Sequence, residues 1–192
     1  MAALHALSAT ALHRAYRARE LSPVEVTNAV LAHIERWEPH LHATWALDAH
    51  SALVMARASE ARWLKGEARG ALDGVPVTIK ENIATRGVAL PMGSAATELI
   101  PALADAPPAA RLREAGAVFI AKTTMPDYGM LSSGVSTLHP LTRNPWNNSK
   151  TPGGSSAGGG AAAAAGYGPI ALRYIHWRFV TVDSQLVRCL QP

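Results

Sequence analysis

Two short apolar segments separated by a helical one constrain the fold of this chain more than any other feature. Residues 75–80 are rich in β-branched side chains, and residues 117–121 form a second segment typical of a buried strand. Between them, Pro107-Pro108 predicts the start of a helix that ends near Ala115, ahead of Gly116. Because strand, helix, strand is the repeating unit of α/β proteins, we expect an α/β fold.

The first third of the chain is typical of helices. Ser22-Pro23-Val24-Glu25 combines a capping serine, a proline at the first helical position and a glutamate that can bond back to the cap, which predicts a helix over about residues 22–37. A second helix is predicted over about residues 49–65, ending at Gly66. The apolar residues expected on the buried faces are Val26, Val30, Ile34, Leu53, Ala56 and Trp63.

Composition excludes several classes of protein. A length of 192 residues suits one domain, and no apolar run is long enough to cross a bilayer. Cys189 is the single cysteine, which excludes an internal disulfide and a cysteine-based zinc site. Net charge is +4 for the whole chain. Without residues 173–192 the chain has 15 basic and 13 acidic side chains, so its net charge is lower. With no secretory signal at the start, we expect a soluble cytoplasmic protein that binds neither membranes nor nucleic acid.

A glycine-rich run over residues 151–160 holds the most unusual local chemistry. It reads Thr-Pro-Gly-Gly-Ser-Ser-Ala-Gly-Gly-Gly and precedes residues 161–165, which look helical. Glycines allow close backbone approach, and two hydroxyls at a helix N-terminus would lie among free N–H groups. The alternative is a flexible turn capped by serine. A phosphate-binding P-loop is excluded because no Gly-Lys-Ser/Thr follows.

The same run contains Gly154-Ser155-Ser156-Ala157-Gly158, which matches the G-x-S-x-G pattern of serine esterases and would make Ser156 a nucleophile. That pattern needs an apolar strand immediately before it, whereas polar residues 147–151 precede it here. No convincing Asp and His partners follow. The esterase therefore stays a less favoured alternative.

Lys80 ends the first predicted strand. A lysine at a strand end is usually a solvated charge, but a buried lysine loses its proton easily and can then act as a base.

Five stretches of the chain, taken together, resemble the amidase-signature family. Each is weak alone, but they occur in the family's order and at family-like spacing within residues 1–172, which makes the combination specific. Two positions depart from the usual pattern, with Ala157 in place of Gly and Thr124 in place of Asn. The stretches are residues 72–82, 111–117, 121–129, 144–147 and 151–156.

The resemblance implies an amidase-signature fold, in which a mixed central β-sheet is surrounded by helices, with residues 1–172 as the N-terminal part of a single domain. It implies catalysis by a Ser–cis-Ser–Lys triad without a metal or cofactor. In this sequence the lysine is Lys80, and the bridging serine, on an unusual cis peptide, is Ser155. Gly129 lies where the family places a substrate-lining residue, and Ser156 is a second substrate-binding candidate.

By the same resemblance, neutral Lys80 would draw a proton through Ser155 from a nucleophilic serine further along the chain. That serine would attack a small-molecule amide and form an acyl-enzyme that water cleaves. Backbone N–H groups of the preceding loop would hold the oxyanion.

The family pattern breaks after Leu172. Family members continue with Gly-Thr-Asp-x-Gly-Gly-Ser-x-Arg-x-Pro-Ala, whose serine is the nucleophile, but residues 173–179 here read Arg-Tyr-Ile-His-Trp-Arg-Phe. Phe179 occupies the nucleophile position, and His176, Trp177 and Arg178 replace the oxyanion loop. We therefore expect residues 173–192 to be an aberrant tail and this chain to be catalytically inactive.

A shift of reading frame would explain the break. When the last two bases of each tail codon are joined to the first base of the next, Trp177 must yield Gly, Arg173 can yield Gly and Phe179 can yield Ser. The offset frame as a whole permits G-T-x-I-G-G-S-x-R-x-x-A-x-W-C-G. It does not recover the usual Asp and Pro. Our hypothesis is a one-base insertion or deletion near codon 173, and the alternative is a natural, divergent C-terminus.

Three functions remain open from sequence. The first is an amide hydrolase whose chain lacks its nucleophile, the second a non-catalytic fragment that acts as an interaction module, and the third an esterase using Ser156. The resemblance covers general amidases, tRNA-linked amidotransferase subunits and fatty-amide hydrolases, and we favour a stand-alone amidase. The oligomeric state stays open, with a dimer among the options.

Overall fold

The computed structural model describes residues 3–175 and 178–183, with side chains through Arg173. The helices are α1 (Ala9–Ala18), α2 (Pro23–Leu41), α3 (Ala49–Lys65), α4 (Pro107–Glu114) and α5 (Ala157–Ala165). The strands are β1 (Thr44–Leu47), β2 (Pro76–Lys80), β3 (Val118–Thr123), β4 (Ile170–Ile175) and β5 (Arg178–Asp183). Short 3₁₀ turns lie at Leu4–Ala6 and Asp127–Gly129. Among the described residues, no helix combines the length and apolar character needed to cross a bilayer.

One mixed sheet organises the molecule, with strand order β1-β3-β2-β4-β5. The three inner strands β3, β2 and β4 are parallel, and the outer strands β1 and β5 are antiparallel to their neighbours. In the centre, Thr78 pairs with Ala121 on one side and Ala171 on the other. The α/β fold expected from the strand–helix–strand pattern is confirmed. The expectation that the first third is helical is wrong for β1, whose four residues are too few to produce a periodic pattern.

The predicted helices form, with corrected boundaries. Helix α2 begins with the predicted capping box, since Ser22 Oγ accepts from the Glu25 N–H at 3.1 Å and the Ser22 N–H donates to Glu25 at 2.8 Å. It continues past Trp37 to Leu41. Helix α3 has the predicted extent, but its fully buried residues are Ala52, Ala56 and Ser59, whereas Leu53 and Trp63 are half-buried. Small side chains lie innermost because α2 and the sheet approach α3 closely.

Helix α5 begins at Ala157, four residues earlier than predicted. The glycines at 158–160 are therefore helical rather than part of the loop. Gly158 is required by packing, because a Cβ there would overlap the Ala43 carbonyl oxygen and the backbone of Thr124. Its N–H also donates to the Thr124 carbonyl at 3.0 Å, which joins the first turn of α5 to the end of β3.

Two buried apolar clusters pack around the sheet. The larger draws on α1, α2, α3 and α5, on Val75 just before β2, and on Val118 and Ile120 of β3. The smaller joins Val77 and Ile79 of β2 to Leu112 of α4 and to Leu172 of β4. Every residue of β2 is buried, which places this strand at the centre of the molecule.

The segment predicted to be an aberrant tail begins inside β4. Backbone pairing continues from Leu172 through residue 175, and β5 then runs antiparallel to β4 with Phe179 opposite Tyr174. His176 and Trp177, which were expected to replace an oxyanion loop, lie outside the described residues.

Candidate active site

Lys80 lies at the end of the central strand and is almost fully buried, with 1% of its surface exposed. Its Nζ contacts Ser155 Oγ at 3.1 Å. Burial lowers the pKa of Lys80 to about 8, and the Arg173 guanidinium acts in the same direction, while the Glu81 carboxylate opposes both. The ordinary expectation for a lysine at a strand end, a solvated charge, is therefore wrong here. At this pKa about a tenth of the molecules carry a neutral amine at pH 7, far more than for an exposed lysine.

Ser155 comes from a segment 75 residues away, at the end of the glycine-rich loop that leads into α5. The peptide bond between Gly154 and Ser155 is cis. The loop is packed closely behind this bond, since a Cβ on Gly154 would lie 2.6 Å from both the Leu131 carbonyl oxygen and the Ser133 nitrogen. The fold thus brings together the two residues that the sequence assigned to a Lys–Ser pair.

Gly129 lies beside this pair. Its φ of +72° suits glycine, and a Cβ at this position would be 3.5 Å from Ser155 Oγ and 3.1 Å from Met125 Cε. Any larger side chain would therefore narrow the space in front of Ser155. The sequence predicted a substrate-lining role for Gly129, and this position is suitable for one.

Ser156 is the residue immediately before α5, and its side chain makes no capping hydrogen bond there. It lines a cavity of about 360 Å³ together with the glycine loop, Ser155 and Arg173. Arg173 therefore brings a guanidinium into the space next to Ser155. Burial lowers the pKa of Arg173, because a charged group is disfavoured away from water.

The position that the family pattern assigns to the nucleophile, Phe179, lies in β5. Its backbone belongs to a regular antiparallel ladder.

Sequence reasoning missed a buried charged group next to Lys80. Glu81 is completely buried and its Oε2 contacts His139 Nε2 at 2.6 Å. On the neighbouring strand, Lys122 is 3% exposed and donates to Thr85 Oγ1 at 2.8 Å and to the Ile83 carbonyl. Burial lowers the pKa of Lys122 to about 7, against the opposing effect of Glu81 and Asp105. His139 could not be found from sequence, because 58 residues separate it from Glu81.

Comparison with known proteins identifies the family of this chain. The family model for Amidase matches residues 25–172. Among curated proteins, the chain is 41% identical over 172 residues to the A subunit of the glutamyl-tRNA(Gln) amidotransferase of Chloroflexus aggregans, covering 90% of this chain and 35% of that protein. The corresponding protein of a Picosynechococcus strain is 38% identical, with 84% and 33% covered.

Solved structures give the same result. The peptide amidase from Stenotrophomonas maltophilia superposes with a TM-score of 0.80 at 32% identity, covering 86% of this chain and 35% of that one. A 6-aminohexanoate cyclic dimer hydrolase gives 0.79 at 31% identity, with 90% and 34% covered. The chain belongs to the amidase-signature family and has the N-terminal portion of its fold. It spans about a third of the length of the relatives it matches.

Proposed function

We propose that Lys80 and Ser155 are two members of an amide-hydrolysing triad, and that the 192-residue chain lacks the third. The observation that carries the proposal is the 3.1 Å contact between a fully buried lysine amine and a serine hydroxyl. This distance allows a proton to pass between the two groups in either direction.

In the complete reaction, the neutral amine of Lys80 accepts the proton of Ser155 as Ser155 accepts the proton of a nucleophilic serine. The serine oxygen then forms a bond to the carbonyl carbon of a small carboxylic amide. When the C–N bond breaks, the proton returns through Ser155 to the leaving ammonia or amine. Water then attacks the acyl-serine with the same proton transfers through Ser155 and releases the acid. Lys80 is suited to this cycle because a base with a pKa near the working pH can both accept and return a proton.

We further propose that a one-base insertion or deletion near codon 173 replaced the nucleophile segment, which leaves Phe179 at the nucleophile position. The support is the offset reading in which Trp177 must become Gly. The family match also ends at residue 172, where the offset reading begins.

The test compares two purified proteins on a panel of simple aryl and alkyl amides. The 192-residue chain is expected to show no turnover, whereas a protein with the frame restored from codon 173 hydrolyses amides and loses this activity with Lys80→Ala. An uninterrupted gene without the offset motif, or amide turnover by the 192-residue chain, would contradict the proposal.

An ester panel on the same chain separates the alternatives. Ester hydrolysis lost only with Ser156→Ala would favour the G-x-S-x-G esterase. A folded chain without either activity, whose restored frame is also inactive, would favour a non-catalytic interaction module.

A further inference from the structure

Two consecutive residues hold the loop-rich segment over residues 131–156 at two points. Lys80 contacts Ser155 near the end of the segment at 3.1 Å, and Glu81 contacts His139 in its first half at 2.6 Å. Both residues are buried, and the Glu81 N–H extends the sheet beyond β2 by donating to the Thr123 carbonyl at 3.1 Å. The loop that presents Ser155 is thus attached to the central strand at two adjacent points.

His139 is itself held in place before it meets Glu81. Its backbone N–H donates to Ser136 Oγ at 3.0 Å, and Ser136 in turn donates to the Gly93 carbonyl at 2.5 Å. The imidazole also lies 6.0 Å from the Trp45 ring, measured between ring centroids. A ring fixed on several sides loses little further entropy when it binds Glu81.

The Glu81–His139 contact is deeply buried, with side-chain exposures of 0% and 5%. Glu81 Oε1 is buried and has no hydrogen-bond partner among the described residues. A buried carboxylate in this state needs compensating positive charge nearby. The Glu81 carboxylate acts to raise the pKa of both Lys80 and Lys122. The other charged groups that act on these lysines are Arg173 on Lys80 and Asp105 on Lys122.

We propose that Glu81 and His139 are a positioning pair for Lys80: His139 holds the Glu81 carboxylate beside the strand end, and this buried negative charge keeps Lys80 able to take a proton. The proposal rests on the proposed role of Lys80 as proton acceptor. Burial weakens the amine as a base, and Arg173 weakens it further. Glu81 acts in the opposite direction, so the lysine retains a basicity suited to a reversible proton transfer.

The experiment measures Lys80 directly and needs no turnover. Trace acetylation with acetic anhydride across a pH series, read by mass spectrometry of the Lys80 peptide, gives the pH at which half of the amine is neutral. In the unaltered 192-residue chain we expect a midpoint near 8, the value to which burial lowers the pKa of Lys80. A midpoint of about 10.4, that of an exposed lysine, would contradict the buried geometry.

Glu81→Gln keeps the size of the side chain and removes its charge, so the midpoint should fall by about one pH unit or more. Glu81→Asp restores the charge and should bring the midpoint most of the way back. His139→Leu should lower the midpoint in the same direction, because the Glu81 carboxylate then loses the side chain that holds it beside the strand end. His139→Gln retains an N–H donor and should leave it nearly unchanged.

Two controls calibrate the measurement. Glu38→Gln neutralises a half-buried carboxylate that bonds to Thr44 and does not act on Lys80, so its midpoint should equal that of the parent chain. Arg173→Met removes a like charge and should raise the midpoint. Near-UV circular dichroism checks that each variant is folded, and if Glu81→Gln fails this check, His139→Leu carries the test.

The proposal is overturned if Arg173→Met moves the midpoint while folded Glu81→Gln does not, or if His139→Leu leaves it unchanged. The two proposals can fail separately. If Glu81→Gln shifts the midpoint but the frame-restored protein hydrolyses no amide, the proposed function is overturned, while the effect of the Glu81–His139 pair on Lys80 still holds.

Discussion

Among individual residues, the buried charges are the most unusual feature of the molecule. Lys80, Glu81 and Lys122 are all nearly inaccessible to solvent. Lys80 ends β2, Glu81 follows it directly, and Lys122 lies in the adjacent strand β3. Charged side chains are rarely buried unless function or pairing requires it, and perturbed groups of this kind concentrate at functional sites. A different buried charge, Asp73, is fully paired and is better explained by structure alone. It accepts hydrogen bonds from Arg62 at 2.9 Å, from Ser59 at 2.6 Å and from the Arg69 N–H at 2.8 Å.

Replacing Asp73 by Ala should lower the free energy of unfolding by about 3 kcal/mol, because it leaves the partly buried Arg62 without its partner. Urea titration at pH 7 measures the loss. The exposed Arg111–Glu114 pair is the control, and Arg111→Ala should change stability by less than about 0.5 kcal/mol. Equal effects of the two variants would contradict this assignment.

Asp73 also predicts a response to acid. Burial opposes ionisation, but the hydrogen bonds from Arg62, Ser59 and Arg69 together outweigh it and hold the pKa of Asp73 below its usual range. A depressed carboxyl pKa adds stability above the unfolded value of about 3.9, and that stability is lost as the pH falls through the folded value. The urea concentration at the unfolding midpoint should therefore fall less steeply below about pH 4 in Asp73→Ala than in the parent chain.

Among the elements, α5 shows how a glycine-rich sequence can encode a helix. Gly158 lies against the backbone at Ala43 and Thr124, so Gly158→Ala should prevent α5 from docking and cost about 3 kcal/mol, as in an overpacked core. A Cβ on Gly160 would come no closer than 3.9 Å to an atom outside its own helical turn, and Gly160→Ala should stabilise the chain by about 0.5–1 kcal/mol through helix propensity. Thermal unfolding of both variants tests the contrast, and a stable Gly158→Ala protein would show that α5 is packed differently.

The cap at the start of α2 is expected to contribute less to stability than the packing of Gly158. Ser22→Ala removes the acceptor for the Glu25 N–H and should cost about 1 kcal/mol. Ser22→Asp keeps an acceptor at the cap and should restore most of the loss. Urea unfolding separates them, and equal stability of Ser22→Ala and the parent chain would mean that the cap contributes nothing.

For the molecule as a whole, the two buried lysines predict stability that increases with pH. Their pKa values are lowered to about 8 for Lys80 and about 7 for Lys122, so between these values and about 10.4 the unfolded chain binds more protons than the folded one. Stability should rise by about 2–4 kcal/mol from pH 7 to pH 9. Tyr16 and Tyr167 act in the opposite direction at higher pH: burial raises the pKa of each, so above about pH 10 the unfolded phenols ionise first and stability falls with a further rise in pH.

Thermal unfolding at fixed ionic strength from pH 7 to pH 10 measures this profile. Lys122→Met removes one of the two titrating groups and should reduce the slope by about half. A profile that is flat or falls over pH 7–9 would mean that both lysines are solvated.

Sequence patterns were enough to establish the family, the α/β class and the helices that begin with strong caps. The resemblance assigned Lys80 and Ser155 to one triad, and the structure places their side chains 3.1 Å apart, while their catalytic role stays a prediction. Caps and strand composition are each encoded within a few neighbouring residues, and the family is recognised from the order of five motifs along residues 72–156, which is why these predictions succeeded. The short strand β1, the start of α5 and the contact between Glu81 and His139 could be found only in the folded molecule. Each depends on contacts between segments that are distant in sequence, either close packing of the backbone or a buried partner side chain. Local sequence patterns do not indicate which distant segments will be in contact.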